Sequence, residues 1–213
     1  MSSRHHLSVR KTATYFTLGN PQTAKTIWFV LHGYGMLAEF FIRKFEPLVN
    51  EDTAVIAPEG LSRFYTQGFY GRVGASWMTK EGREHEITDY INYLNQLYST
   101  LISSGAGQKI NVVGFSQGGA TASRWIADHQ SRIDNFILWS SIFPDDMSLE
   151  NFGKNFKAFI VYGTEDEFAR PEHFTQQQNL FTAHQLDVVI EEFVGPHDIP
   201  KDIILELTQK HGW

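Results

Sequence analysis

Ser116 stands in a sequence context that can turn a serine hydroxyl into a nucleophile. An apolar run from Ile110 leads into Gly114-Phe-Ser-Gln-Gly118, a GxSxG pattern, and a helical pattern follows. A serine at such a sharp turn projects its hydroxyl above a sheet only if the residues two before and two after it are small. GxSxG recurs by chance, and a glycine-rich turn with a capping serine is the alternative. The strand, turn and helix context favours a nucleophile.

Two backbone N–H groups near this turn are candidates for binding an oxyanion. The helix that starts after Ser116 presents free N–H groups and the positive end of its dipole, and Gln117 supplies the first of them. The second candidate is Tyr34, because an apolar strand ends in His32-Gly33-Tyr34 as a second donor loop requires. We interpret His32 as a structural residue that holds this loop by hydrogen bonding.

His197 is the predicted general base. In the α/β-hydrolase arrangement that GxSxG indicates, the acid and then the histidine follow the serine along the chain, and the histidine lies in a late loop. The segment Val194-Gly-Pro-His-Asp-Ile-Pro200 lies between the last predicted strand and the last predicted helix. A turn histidine satisfied by solvent is the alternative.

The acid is expected in a carboxylate-rich turn after a late strand. The segment Gly163-Thr-Glu-Asp-Glu167 follows such a strand. Asp166 is our choice, because a short carboxylate after a glycine turn can be held rigidly against one imidazole nitrogen. Glu165, Glu167 and Asp198 stay open as alternatives for the acid. The non-catalytic interpretation of these carboxylates is an acidic loop exposed to solvent.

Together these residues resemble the phospholipase/carboxylesterase family of α/β-hydrolases, which includes the acyl-protein thioesterases and bacterial predicted esterases. The resemblance covers most of the chain in six ordered motifs: Leu31-His-Gly-Tyr-Gly35, Pro58-Glu-Gly60, Ser76-Trp77, Gly114-Phe-Ser-Gln-Gly-Gly119, Gly163-Thr-Glu-Asp166 and Gly195-Pro-His-Asp198. It implies Ser116, Asp166 and His197 as a catalytic triad. It also implies oxyanion donors at Tyr34 and Gln117, and hydrolysis of esters or thioesters without a metal or cofactor.

The pattern of elements predicts an α/β fold, with strands that feed helices around a mostly parallel sheet. We expect about seven strands, helices on both faces and no large lid. The predicted strands are Thr12–Thr17, Thr26–Leu31, Thr53–Ala57, Ile110–Phe115, Asn135–Trp139, Ala158–Tyr162 and Val188–Phe193. The predicted helices are Glu39–Val49, Glu84–Ser103, Gln117–Asp128, Glu172–His184 and Lys201–Gln209. No linker or repeat divides the chain, so we expect one α/β-hydrolase domain over residues 1–213.

Composition narrows the class of function. The chain carries 24 acidic and 18 basic side chains, and no run of Lys or Arg suits a nucleic-acid partner. Cysteine is absent, which excludes disulfides, thiolate metal sites and a cysteine nucleophile. No stretch has the apolar length of a signal peptide or a membrane span, so we expect a cytoplasmic enzyme without stable membrane insertion.

Four apolar side chains are candidates for the substrate pocket. Tyr70, Trp77 and Met78 lie in an aromatic, glycine-rich segment, and Phe168 follows the acid turn. Apolar walls suit the acyl part of an ester, whereas core packing is the alternative for these rings. We therefore expect a carboxylesterase acting on small-molecule esters of modest size. A homodimer is left open.

Other functions on this fold stay open. An acyl thioesterase or a lysophospholipase would use the same triad, and a serine peptidase would usually add a capping element. A catalytically inactive binding protein with a hydrolase fold is the non-enzyme alternative, although a decayed triad is typical of that class. The natural substrate, ester or thioester, and the acyl chain length do not follow from a triad.

Overall fold

The computed structural model describes residues 2–102, 107–128, 132–150, 152–153, 155–168 and 171–213. Its strands are β1 (Tyr15–Leu18), β2 (Thr26–Leu31), β3 (Thr53–Pro58), β4 (Ser62–Tyr65), β5 (Val73–Ser76), β6 (Lys109–Phe115), β7 (Asn135–Trp139), β8 (Lys157–Gly163) and β9 (Val188–Phe193). Seven of them form one sheet in the order β1-β3-β2-β6-β7-β8-β9, and β4 pairs with β5 in a separate hairpin. In the sheet, β1 is antiparallel to β3 and the other neighbours are parallel.

Helices cover both faces of the sheet, as the sequence predicts. They are α1 (Ala38–Phe41), α2 (Arg83–Leu101), α3 (Gln117–Asp128), α4 (Pro171–Ala183) and α5 (Lys201–His211), with 3₁₀ helices at Ile42–Leu48 and Gly68–Tyr70. Alternate residues of a strand face opposite sides. Phe29 on β2 accordingly packs in the core with α2, α3 and α4, whereas Trp28 packs with α1 and α5.

The predicted bounds agree with the structure for three strands and one helix: β2, β7, β9 and α3. Of these strands, β2 and β7 are buried on both faces and therefore appear as short apolar runs with clear ends. The predicted helix from Glu84 is observed at Arg83–Leu101, and Ser103 lies outside the described residues.

Three segments differ from the prediction. The first strand, predicted over Thr12–Thr17, is observed at Tyr15–Leu18. The helix predicted over Glu39–Val49 is a short α-helix followed by a 3₁₀ helix that contains Pro47. Proline has no N–H to donate, and its ring clashes with the preceding turn of an α-helix. The hairpin of β4 and β5 was not predicted, because its strands are only four residues long and lack a clear apolar alternation.

The parallel strands deliver the candidate site residues to one edge of the sheet. Tyr34 follows β2, Ser116 follows β6, Asp166 follows β8 and His197 follows β9. The carboxyl ends of parallel strands share one edge, and ligands of open α/β sheets bind there. Within the described ranges, no helix is long and apolar enough to cross a bilayer.

Candidate active site

Ser116 occupies a strained turn between β6 and α3. Its φ is 53°, in the left-handed region that side chains other than glycine adopt only when their surroundings hold them there. The Ser116 N–H donates to Trp139 O at 3.1 Å, and Ser141 Oγ donates to Ser116 O at 2.7 Å. The end of β7 and the residues just after it therefore hold the turn in place.

The glycines around Ser116 allow close backbone contacts. A Cβ placed on Gly114 would lie 2.4 Å from Gly119 Cα, and one on Gly118 would lie 2.1 Å from Leu31 O. Neither position accepts a side chain without moving backbone atoms. The residue two before the serine must be small because α3 lies against it, and the residue two after must be small because the end of β2 lies against it.

The structure joins His197 to Asp166. The distance from His197 Nδ1 to Asp166 Oδ2 is 2.8 Å, and the Asp166 side chain is 0% exposed. The His197 ring packs against Phe115 with ring centroids 4.8 Å apart, which brings it beside the residue that precedes Ser116. Ser116 Oγ has no hydrogen-bond partner among the described residues; such bonds often tighten only when substrate binds.

Backbone hydrogen bonds hold the acid loop against the histidine loop. The Thr164 N–H donates to Phe193 O at 2.8 Å, and the Glu165 N–H donates to Gly195 O at 2.9 Å. A Cβ on Gly163 would lie 2.2 Å from Gly195 O, so only glycine permits this approach. The two loops form one unit that sets the geometry between acid and base.

The same geometry separates Asp166 from its alternatives. Glu165 and Glu167 are exposed, and Asp198 pairs with Lys44. Asp166 Oδ1 also accepts the Phe168 N–H at 2.9 Å, which orients the carboxylate. Among these four carboxylates, Asp166 is the one that meets the imidazole.

The candidate oxyanion donors lie on either side of the nucleophile turn. Gln117 begins α3, and a Cβ on Gly33 would lie 3.2 Å from Ser116 Cβ, so the loop of Tyr34 lies against the turn. Within the part of the chain that the structure describes, neither the Tyr34 nor the Gln117 N–H has a backbone partner.

His32 holds the donor loop rather than facing the site. Its ring is 0% exposed, its Nε2 accepts the Gly60 N–H at 2.9 Å, and its Nδ1 lies 2.7 Å from Gly33 O. These partners require a neutral ring with the proton on Nδ1. Burial is the main cause that lowers the pKa of His32, against the smaller effects of the Gly33 carbonyl and Glu59.

This burial predicts a pH dependence of stability. Below pH 6.5 the unfolded chain protonates His32, whereas the folded chain keeps it neutral, so folding releases a proton. The free energy of unfolding should therefore fall as pH falls from 7 to 5, by up to about 1.4 kcal/mol per pH unit. Urea titrations at several pH values measure it. His32→Gln should flatten this slope, and the control His184→Gln, at a half-buried position, should not. Equal slopes in both variants would contradict the assignment.

Sequence reasoning missed the roles of two polar side chains. The Gln117 amide accepts the Trp77 N–H at 3.1 Å and donates to Met78 O at 2.9 Å, which ties α3 to the segment after β5. Glu59 is buried and accepts the Ala38 N–H at 3.2 Å. The motifs that contain Gln117 and Glu59 were visible in the sequence, but their partners lie far away along the chain.

The pocket candidates separate in the structure. Trp77 corrects the sequence interpretation: it is 1% exposed, belongs to the core and donates from Nε1 to His32 O, so it does not line an open pocket. Tyr70 is fully exposed on the 3₁₀ helix between β4 and β5. Met78 is half-buried against the core. Phe168 is exposed and contacts the His197 ring at 4.8 Å, so it is the candidate beside the base.

The structure also has a cavity away from these residues. A cavity of about 840 Å³ lies between the N-terminal segment and α2, lined by residues such as Leu7 and Tyr93, and contains none of the three candidate catalytic residues. No group of three or more His, Asp or Glu side chains within the described ranges is arranged to hold a metal ion.

Comparisons with known proteins agree with the fold. The family model for the alpha/beta hydrolase fold matches residues 74–188. The structure is similar to esterase PE8 (TM-score 0.72, 18% identity, 94% of this chain and 98% of that one). It is also similar to acyl-protein thioesterase 2 of Zea mays (TM-score 0.73, 16% identity, 94% and 98%). A third similar structure is the carboxylesterase of Bacillus cereus (TM-score 0.69, 14% identity, 94% and 93%). A search of curated proteins found no sequence match.

Proposed function

This chain belongs to the α/β-hydrolase fold family, and on that premise we propose that it is a serine carboxylesterase that forms an acyl-enzyme on Ser116. One observation carries the proposal: the 2.8 Å contact between His197 and Asp166, with the imidazole packed beside the nucleophile turn. The names of two similar structures, an esterase and a carboxylesterase, support an ester substrate.

The two ring nitrogens of His197 differ in protonation, and acylation depends on this difference. Asp166 holds the His197 proton on Nδ1, so Nε2 is free to take the proton of Ser116 Oγ. The Ser116 oxygen then attacks the ester carbonyl, and the oxygen of the tetrahedral intermediate receives the Tyr34 and Gln117 N–H groups. His197 returns the proton to the leaving alcohol as the bond to it breaks.

Deacylation repeats these roles with water. His197 Nε2 takes a proton from water, the hydroxide attacks the acyl-enzyme, and the carboxylic acid leaves as Ser116 regains its proton. The buried Asp166 carboxylate stabilises the imidazolium in both halves of the reaction. We propose that residues 1–213 form one catalytic domain.

A thioester is the second substrate class, since one similar structure is an acyl-protein thioesterase. The same steps cleave a thioester, with a thiol as the leaving group. Parallel assays of an ester and a thioester of one acid decide between them through their ratio of kcat/KM.

Covalent labelling tests the proposal directly. A fluorophosphonate should attach once per chain, at the peptide that carries Ser116, and p-nitrophenyl esters of increasing acyl length should be hydrolysed with one preferred length. Mass spectrometry locates the label and absorbance follows the hydrolysis. If the folded protein resists the label and hydrolyses no ester, the proposal fails and the inactive binding protein takes its place.

A further inference from the structure

Two arginines, one at the start of α2 and one in α3, share one aspartate in the loop after β7. Arg83 Nη2 lies 2.7 Å from Asp146 Oδ2, and Arg124 Nη2 lies 2.6 Å from Asp146 Oδ1. Together with Tyr90 we call these residues the arginine cluster. Two positive charges against one negative charge leave one positive charge in excess. These three charged groups are also the ones that act on the Tyr90 hydroxyl.

The cluster lies at the same edge of the sheet as the nucleophile. Arg124 Nη1 donates to Ala120 O at 3.3 Å, so the guanidinium turns back toward the start of α3. Ala120 is four residues after Ser116, which is about 6 Å along a helix axis. Asp146 belongs to the loop after β7, the loop whose Ser141 donates to Ser116 O.

The cluster holds buried donors without acceptors. Within the described ranges, Arg83 Nε is buried and has no hydrogen-bond partner. The buried Tyr90 hydroxyl interacts with the Arg124 guanidinium, which can only donate, so the hydroxyl proton has no acceptor. Tyr90 is 0% exposed, and burial raises the pKa of its hydroxyl to about 12, so it keeps its proton. A buried donor is costly unless an acceptor meets it. An anion bound at the cluster would balance the excess positive charge and accept hydrogen bonds from these donors.

A purely structural role explains only part of this arrangement. Ion pairs that tie α2 and α3 to the loop after β7 account for the contacts of Asp146. They do not account for the unpaired Arg83 Nε or for the second arginine, of which 6% is exposed. Arg124 would be an expensive residue to bury merely to share a partner.

We propose that the arginine cluster binds a carboxylate at the far end of the acyl group, so that the preferred substrates are half-esters of dicarboxylic acids. The inference rests on the proposed function, because it names the substrate class of that same site. Guanidinium groups bind carboxylates through paired, charge-assisted hydrogen bonds. Ser116 attacks one end of the acid while the cluster holds the other, which fixes the orientation of the chain between them.

The substrate series compares each half-ester with a neutral ester of equal length. Monoethyl esters of dicarboxylic acids from succinate to suberate are paired with ethyl esters of the corresponding monocarboxylic acids, and product acids are measured by chromatography. Wild type should prefer the half-ester by about tenfold or more at one chain length. A lack of preference at every length overturns the proposal.

Arg83→Gln removes one guanidinium while its matched control removes one elsewhere. The variant should lower the half-ester preference about tenfold, mainly through KM. The control is Arg132→Gln. Arg132 pairs with Asp134, which precedes β7, so this pair lies at the opposite ends of the strands from Ser116. The control should keep the wild-type preference. Equal preferences in Arg83→Gln and wild type contradict the proposal.

A binding measurement separates this inference from the proposed chemistry. In Ser116→Ala the half-ester should raise the melting temperature more than the neutral ester or acetate does, and the added change Arg83→Gln should abolish the difference. A shift without turnover by wild type would support the cluster and contradict the esterase. Turnover by wild type, without a preference for the half-ester and without a shift in melting temperature, would support the esterase and contradict the cluster. Equal stabilisation by acetate would mean a site for free anions and would overturn the substrate proposal.

Discussion

Ser116→Ala is expected to lower kcat for ester hydrolysis by about 10⁵- to 10⁶-fold. Alanine has no hydroxyl to form the acyl-enzyme, and the remaining oxyanion donors support only a weak attack by water. The Ser116 φ of 53° means that the turn is held by its neighbours, so the truncated residue should keep the backbone in place. Initial rates with the p-nitrophenyl ester of preferred length measure the loss.

The matched control is Ser123→Ala in α3, the helix that follows Ser116. Ser123 is buried, and its hydroxyl donates to Gly119 O at 2.8 Å, within the helix. Its loss removes a serine hydroxyl near the site without removing the nucleophile, and kcat should stay within a few-fold of wild type. Circular dichroism checks that both variants fold. Turnover near the wild-type rate in Ser116→Ala would reject Ser116 as the nucleophile.

Much of the fold and of the nucleophile turn was predictable from local sequence. Parallel strands such as β2 and β7 are buried on both faces, so each appears as a short apolar run. The glycines around Ser116 reflect contacts with residues of the adjacent turn and strand end. Local geometry of this kind constrains residue types at fixed spacing, and a pattern can therefore reveal it.

The choice of acid could not be settled from local sequence. Glu165, Asp166 and Glu167 are consecutive carboxylates, and their order says nothing about which one points inward. That is decided by hydrogen bonds to the loop after β9, such as the one from the Glu165 N–H to Gly195 O. The pairing depends on residues about thirty positions later.

Side-chain contacts between distant segments were the least predictable part. The interpretation of Trp77 as a pocket wall was wrong because the carbonyl of His32 and the rings around it bury the indole. The pairing of Arg83 with Asp146 spans 63 residues and has no signature in either segment. Such contacts follow from how helices lie on the sheet, which short motifs do not encode.

Asp166→Asn is expected to lower kcat by about 10⁴-fold while leaving the fold intact. The asparagine oxygen can still accept the Phe168 N–H, so the loop keeps its shape. Its amide nitrogen, however, would face His197 Nδ1 as a donor, which moves the ring proton to Nε2. A ring protonated on Nε2 cannot take the Ser116 proton. Steady-state kinetics at pH 8 with the preferred ester measure the loss.

The neighbouring carboxylates supply the matched controls for this prediction. Glu165→Gln and Glu167→Gln each remove one negative charge from the same turn, but both side chains are exposed and neither meets the imidazole. They should keep kcat within a few-fold of wild type, because the field of an exposed charge is screened by solvent. A large loss in Glu167→Gln with activity kept in Asp166→Asn would move the acid to Glu167. An equal loss in all three variants would mean that the turn acts through its total charge, and a fixed hydrogen bond to His197 would no longer explain its role.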